Sequence, residues 1–479
     1  MQRRLFEHLP HHDLPLNLTR FADVINLFSV RDWALEARLL RWLTMLWLFI
    51  GLVVLFSASF PVADAEIGDG ARYFKVQILW ILVGLLMSRW ITRHPLRLVM
   101  QFSGLGLFVC LGLIIATHIP GLGVTVNGAT RWLPLGPFLI QPSELLKPFL
   151  ILQSARLFGQ WHRFRPLSRW RWLGVFVLCL LAILMQPNLS TTAVCGLTLW
   201  LIAWASGRPY RHLMMTAGAG ALAAVLSISI KTYQRERIIS FLDPWSQASD
   251  NGYQLVQSLY AIGSGGLWGT GFGMGQQKLG YLPIQYTDFI FSVYAEEFGF
   301  VGSIMLLLFL AVFSTVALLV ALKAKASVNR LIAIGCMVLL VGQSLNNIGV
   351  DTGSLPTTGL PFPMMSYGGS SMMSSLIIAG LLIRVAREAH EADIVAMTEQ
   401  PIRPRRYRPG GRRRRYEQPQ AQPGQPLKQP EAFRPTLHKT ARQTAKQTAR
   451  QRSPHRIQAK PMLRPGRKPE RKRKRIRSV

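Results

Sequence analysis

Apolar residues in this chain come in long blocks rather than alternating with polar ones. Ten blocks recur, at about 41–60, 74–92, 96–118, 138–158, 171–186, 190–206, 211–230, 300–322, 330–350 and 368–387. A bilayer core about 30 Å thick is crossed by roughly 20 apolar residues in helical form. The pattern therefore predicts an all-α polytopic membrane protein of about ten transmembrane helices. The fifth and sixth blocks are short and separated only by Gln186-Pro187-Asn188-Leu189, which leaves a re-entrant pair as the alternative there. A long connection, residues 231–286, separates spans seven and eight.

Basic residues mark alternate connections. Arg3, Arg4, Arg20, Arg31 and Arg38 precede the first span, Arg89, Arg93 and Arg97 flank the second connection, and Arg163, Arg165, Arg169 and Arg171 follow the fourth span. Arg208, Arg211, Lys323, Lys325 and Arg330 continue that side. Basic loops stay cytoplasmic during insertion, so both termini are expected in the cytoplasm and 231–286 outside. The first 40 residues contain no apolar run with a cleavage site, and no removable signal is expected.

Composition refines this picture. The chain has 479 residues, 49% hydrophobic and 16% charged, with a formal net charge of +32. Residues 401–479 hold 26 of the 55 basic and 3 of the 23 acidic residues, so the tail alone carries +23. Three parts follow: an N-terminal cytoplasmic extension, 1–40; a membrane domain, 41–388; and a basic tail, 389–479, too poor in apolar residues to fold. The tail's charge suits anionic membrane or acidic protein, with no specific nucleic acid expected. Cys110, Cys179, Cys195 and Cys336 lie inside apolar runs at irregular spacing, which implies neither disulfide nor zinc framework.

Against so much hydrocarbon, polar residues in or beside spans stand out, because an intramembrane charge costs at least about 2.5–3.5 kcal/mol and persists when paired or facing a cavity. Glu144 and Lys147 are three apart on one helix face, which suits either a helix-locking ion pair or a substrate role. Asp288 stands where a polar loop becomes an apolar helix; with Thr287 it reads as a helix cap or as a reactive carboxylate. The run from Asp288 to Ala321 is too long for one straight span, so a bend near Gly299 or Gly302 is expected, leaving Glu296 and Glu297 beside the outer interface. Ahead of Asp288, the series Gly263, Gly265, Gly266, Gly269, Gly271, Gly273 and Gly275 suits a pyrophosphate cradle or a flexible lid. The Pro- and Gly-rich stretch 355–371 cannot be continuous helix, and non-helical backbone at membrane depth lines a cavity or packs on protein.

The motifs Asn127-Gly128-Ala129-Thr130-Arg131-Trp132, Gln141-Pro142-Ser143-Glu144 through Lys147, Gly252-Tyr253-Gln254, Thr287-Asp288-Phe289-Ile290-Phe291, Glu296-Glu297-Phe298-Gly299 and the 356–371 run, in this order, closely resemble the SEDS family of cell-wall polymerases. Phe56-Ser57-Ala58-Ser59, Lys278 through Pro283 and the terminal extensions look more like its FtsW branch, of division, than its RodA branch, of elongation. The resemblance implies an inverting peptidoglycan glycosyltransferase of the cytoplasmic (inner) membrane that polymerises lipid II onto an undecaprenyl-pyrophosphate-linked glycan, at the division septum. It implies Asp288 as catalytic acid or base. Arg131, Trp132, Glu144, Lys147, Gln254, Lys278, Glu296, Glu297, Ser366, Tyr367, Gly368 and Gly369 become cavity residues, substrate-binding or structural. Arg131, Lys278, the glycine series or a divalent cation such as Mg2+ are the candidates for the leaving pyrophosphate, and no metal ligand is assigned. A class B penicillin-binding transpeptidase and other divisome proteins are the implied partners. The chain departs from many relatives in reading Ile284-Gln285-Tyr286 where they have Glu-x-His, and Asn188 where they have Asp. A lipid II flippase, an elongation polymerase and a scaffold are the competing functions.

Overall fold

The structure is a computed structural model and describes residues 33–126 and 129–390. The basic tail, most of the N-terminal extension, and Asn127 and Gly128 of the first motif lie outside the described residues. The helices in order are α1 (Leu35–Ile67), α2 (Arg72–Arg93), α3 (Leu96–Ala116), α4 (Pro142–Gly159), α5 (Pro166–Met185), α6 (Leu189–Ala205), α7 (Tyr210–Ile230), α8 (Thr232–Leu242), α9 (Tyr253–Ser264), α10 (Ile290–Lys323), α11 (Ser327–Asp351) and α12 (Gly369–His390). Eight of them are long and apolar enough to cross a membrane; α6 is apolar but shorter, and α4 carries the Glu144–Lys147 pair. Those eight with α4 and α6 occupy the ten predicted positions. The re-entrant alternative is not adopted: α5 is a 20-residue helix, and the Asn188 side chain caps α6 by accepting from the Thr191 N–H at 3.2 Å.

Burial orders the helices. In α12, 89% of the apolar window is buried, against 11% in α7, which places α12 at the centre, packed on α2, α4 and α11, and α7 at the rim. At one end gather the connections α1–α2, α3–α4, α5–α6, α7–α10 and α11–α12. The second of these holds an antiparallel sheet, β1 (Val124–Val126), β2 (Ala129–Leu135) and β3 (Phe138–Ile140), which the apolar pattern does not announce. The expected bend falls at Gly299 (φ 68°, ψ −165°). The amides it frees are paired by the glycine-rich loop: Phe300 N–H donates to Gly266 O at 2.9 Å and Val301 N–H to Leu267 O at 3.1 Å, while Thr270 and Gly271 N–H groups reach Glu296 O and Glu297 O at 2.9 and 3.1 Å. A Cβ on Gly269 would sit 2.2 Å from Glu297 O. The glycine series therefore packs against a broken helix, as membrane-depth backbone requires: Gly271 N–H is committed to that helix, and the Gly265, Gly266 and Gly269 N–H groups to carbonyls of their own segment. Gly299→Ala should cost at least about 1–3 kcal/mol, because only glycine adopts that conformation readily and the new Cβ would meet Gly269 N at 2.3 Å; the thermal midpoint in detergent measures it.

Candidate active site

Asp288 ends the α7–α10 connection, and three successive carbonyls around it are held from neighbouring elements. Tyr286 O accepts from Tyr367 N–H at 2.9 Å, Thr287 O accepts the Ser366 hydroxyl, and Asp288 O accepts Asn347 Nδ2 of α11 at 2.6 Å. Ser366 and Gly368 are in turn held by buried Gln77 of α2, which donates to Ser366 O at 3.1 Å and accepts from Gly368 N–H at 3.2 Å. Gly369 packs on Trp80, where a Cβ would come within 2.4 Å of the ring. Tyr73, Tyr286 and Tyr367 close one side, with Tyr73 stacked on Tyr286 at 4.9 Å and edge-on to Tyr367 at 5.0 Å.

The cap reading of Asp288 does not hold in its simple form. In the first turn of α10 the Ser292 N–H donates to Asp351 Oδ2 at 3.1 Å, and the Ser292 hydroxyl to the same oxygen at 3.2 Å. Asp351, fully buried at the end of α11, is thus the cap supplied from another helix, and the Asp288 carboxylate is not spent on it.

Two guanidinium groups face Asp288. Arg131, on β2, donates Nε to Gln186 O at 3.0 Å and Nη2 to Pro187 O at 2.6 Å. Arg237, on α8, donates Nη1 to Thr357 O at 3.0 Å and lies 4.5 Å over the Tyr233 ring. A Cβ on Gly359 would stand 3.4 Å from Asp288 Oδ2 and 3.8 Å from Arg237 Nη1, so glycine leaves room for carboxylate and guanidinium to converge. Arg131, Arg237, Tyr233 and Asn346 line a cavity of about 210 Å³ at this end of the bundle. Burial pushes the Asp288 carboxyl above the usual carboxylate range, and the charges of Arg237 and then Arg131 oppose the shift.

The other candidates divide. Trp132 and Gln254 are half-buried, on β2 and in the first turn of α9. Lys147 donates to Glu144 at 2.6 Å and to Gln343 Oε1 at 2.9 Å, and Gln343 donates to Pro361 O at 2.7 Å, so this buried pair ties α4 through α11 to the Pro-rich loop. Gln343 is offered there directly after a π-helical turn, Val338–Gly342. Lys278 is buried in an ion pair with Glu297 and donates to Ser57 of α1 at 2.6 Å. Its charge already has a partner. Glu296 accepts the Gln276 N–H at 2.7 Å and the Gln277 N–H at 3.2 Å. Both glutamates are 1% exposed, not beside an open interface, because the bend turns them onto the glycine-rich loop and α1. A resident divalent cation fits the site poorly: among the described residues no three His, Cys, Asp or Glu side chains gather, and two guanidiniums flank the Asp288 carboxylate.

Sequence reading missed Arg237, Asn347, Gln77 and Asp351. Only Asp351 carried a signal, as a carboxylate closing an apolar run.

Fold and site together define a polytopic membrane protein with a guanidinium-flanked carboxylate at its loop-rich end. Residues 37–391 match the cell cycle protein family of FtsW, RodA and SpoVE, and the chain belongs to that family. It is 56% identical over 369 residues to a probable peptidoglycan glycosyltransferase FtsW of a Synechocystis species, covering 77% of this chain and 94% of that one. It is 34% identical over 348 residues to stage V sporulation protein E of Bacillus subtilis, covering 72% and 95%. Among solved structures it resembles a peptidoglycan synthase complex that coordinates polymerization and crosslinking (TM-score 0.61, 28% identity, 75% of this chain and 99% of that one). It also resembles the rod shape determining protein RodA of Thermus thermophilus (TM-score 0.55, 26% identity, 75% and 98%).

Proposed function

We infer that the protein is a peptidoglycan glycosyltransferase that polymerises lipid II at the outer face of the cytoplasmic membrane, in septal wall synthesis. The observation that carries this reading is the Asp288 carboxylate, which Asp351 relieves of capping and which faces Arg131 and Arg237, two residues that line the adjoining cavity. A sugar 4-hydroxyl of incoming lipid II attacks the anomeric carbon of the lipid-pyrophosphate-linked strand, with inversion. Asp288 accepts the hydroxyl proton as the new bond forms, and the departing pyrophosphate gains its negative charge beside two guanidiniums whose positions are preset by backbone carbonyls. With the loop-rich end outside, the basic connections and both termini are cytoplasmic. A class B penicillin-binding transpeptidase and other divisome proteins are its partners, a reading supported by the FtsW likeness and by the resemblance to a synthase complex that couples polymerization to crosslinking.

The test is reconstitution with fluorescent lipid II, with and without the cognate transpeptidase. Glycan polymer is the expected product; translocation without polymer would favour a flippase. The Glu144–Lys147 pair is closed on Gln343, which favours its helix-locking reading over a substrate role.

The acid limb of the pH–rate profile follows from the Asp288 environment. A base raised by burial is deprotonated only above the usual carboxylate range, so activity should disappear as pH falls through that raised value. Arg237→Gln removes the larger opposing charge. It should move the acid limb to higher pH and lower the plateau rate about tenfold or more, whereas an unmoved limb would separate Arg237 from the base.

A further inference from the structure

At the end of the bundle opposite the active site, the turn after α4 carries Trp161, and two cations stack on its indole. The Arg208 guanidinium lies 4.6 Å from the ring and that of Arg169 5.2 Å. The ring is itself fixed by stacking on Phe158 at 5.9 Å. Arg169 donates Nε to Phe164 O at 2.9 Å, which fixes the guanidinium over the turn. Arg208 Nε is buried and has no hydrogen-bond partner.

Cation–π stacking satisfies the faces of such groups and leaves their edge N–H donors unanswered. Neither arginine forms an ion pair among the described residues, and residues 145–235 contain no Asp or Glu at all. Burial and the nearby Arg169 charge both hold Arg208 below the ordinary guanidinium range. Two like charges on one indole, with further basic residues at Arg165, Arg171 and Arg211 in the same connections, make a site where an anion from outside the protein is electrostatically favoured.

The surroundings identify its source. Trp170, Tyr210 and Leu167 flank the turn and are 72%, 70% and 62% exposed. Aromatic rings with a polar edge concentrate at the headgroup level of a bilayer, and Trp170 and Tyr210 stand in the first turns of α5 and α7. An anion reaching this site is therefore presented at membrane depth, on an apolar chain.

We propose that Trp161, Arg169 and Arg208 form a binding site for the phosphate headgroup of an anionic phospholipid on the cytoplasmic side of α4–α7. The phosphodiester lies against the two guanidinium edges, which supply paired N–H donors, while its acyl chains run along the exposed faces of α5 and α7.

The full-length protein, delipidated in a neutral detergent, is titrated with phosphatidylglycerol, phosphatidylcholine or inorganic phosphate. Bound lipid is counted by native mass spectrometry and the thermal midpoint recorded. Wild type should retain phosphatidylglycerol about tenfold or more better than Arg169→Gln/Arg208→Gln, each cation near the headgroup contributing on the order of 1 kcal/mol, with phosphatidylcholine equal in both. Equal phosphatidylglycerol retention by the double variant overturns the site. Stabilisation by millimolar phosphate matching that by the lipid overturns the lipid as occupant. Should the double variant not purify, Arg208→Lys keeps the charge but loses the planar fork, and is expected to bind about threefold or more weakly; undiminished binding rejects the proposal.

Discussion

Asp288→Asn is expected to abolish polymerisation, lowering the initial rate on lipid II by about 10²–10⁴ while leaving the amount of folded protein and its thermal midpoint unchanged. The asparagine fits the same volume and cannot take up the hydroxyl proton. The usual objection to such a variant is that an acid at a helix start holds the helix. Here the hydrogen bonds answer that objection: Asp351 serves the α10 amide, and Asn347 holds residue 288 by its backbone carbonyl, which the substitution keeps. A rate near wild type would remove Asp288 from the reaction. Glu296 and Glu297 would then be next, although each already accepts internal hydrogen bonds or an ion pair.

The spans were legible because each depends on its own composition: about 20 apolar residues report themselves without reference to the rest of the chain. Asp288 was legible for a related reason, as a lone carboxylate at a polar-to-apolar boundary. What distinguishes a reactive acid from a cap, however, is who else caps the helix, and Asp351 is 59 residues along the chain from Ser292, whose amide it caps. Arg237 shares a polar helix with Arg235 and Glu236, and only the fold decides which of these meets Asp288. Lys278 shows the converse. As a solitary cation near the acid it read as a phosphate ligand, yet Glu297 and Ser57, brought in by the bend of α10 and by α1, enclose it. The glycine series was ambiguous for the same reason. Glycine permits close backbone approach, and whether the approaching backbone belongs to a ligand or to a kinked helix is a tertiary fact. The sheet over 124–140 escaped because its strands are short and sit within Gly- and Pro-rich sequence.

Glu144→Leu should have the largest effect on stability. It strips Lys147, 2% exposed, of its one carboxylate partner among the described residues and leaves Gln343 Oε1 as an acceptor. Breaking one side of a buried pair costs about 3–5 kcal/mol, because the surviving charge keeps its desolvation penalty without the compensating attraction. The loss should spread along the chain of contacts: Gln343 is held between Lys147 and Pro361 O, so the Pro-rich loop that carries Ser366 to Thr287 O loses an anchor as well. Replacing both partners distinguishes charge imbalance from lost shape. Glu144→Leu/Lys147→Met removes the uncompensated charge with side chains of similar size, and should recover most of the yield and thermal midpoint lost by Glu144→Leu alone. If Glu144→Leu instead purifies with an unchanged midpoint but fails to polymerise lipid II, the pair belongs to substrate binding rather than to the lock between α4, α11 and the Pro-rich loop.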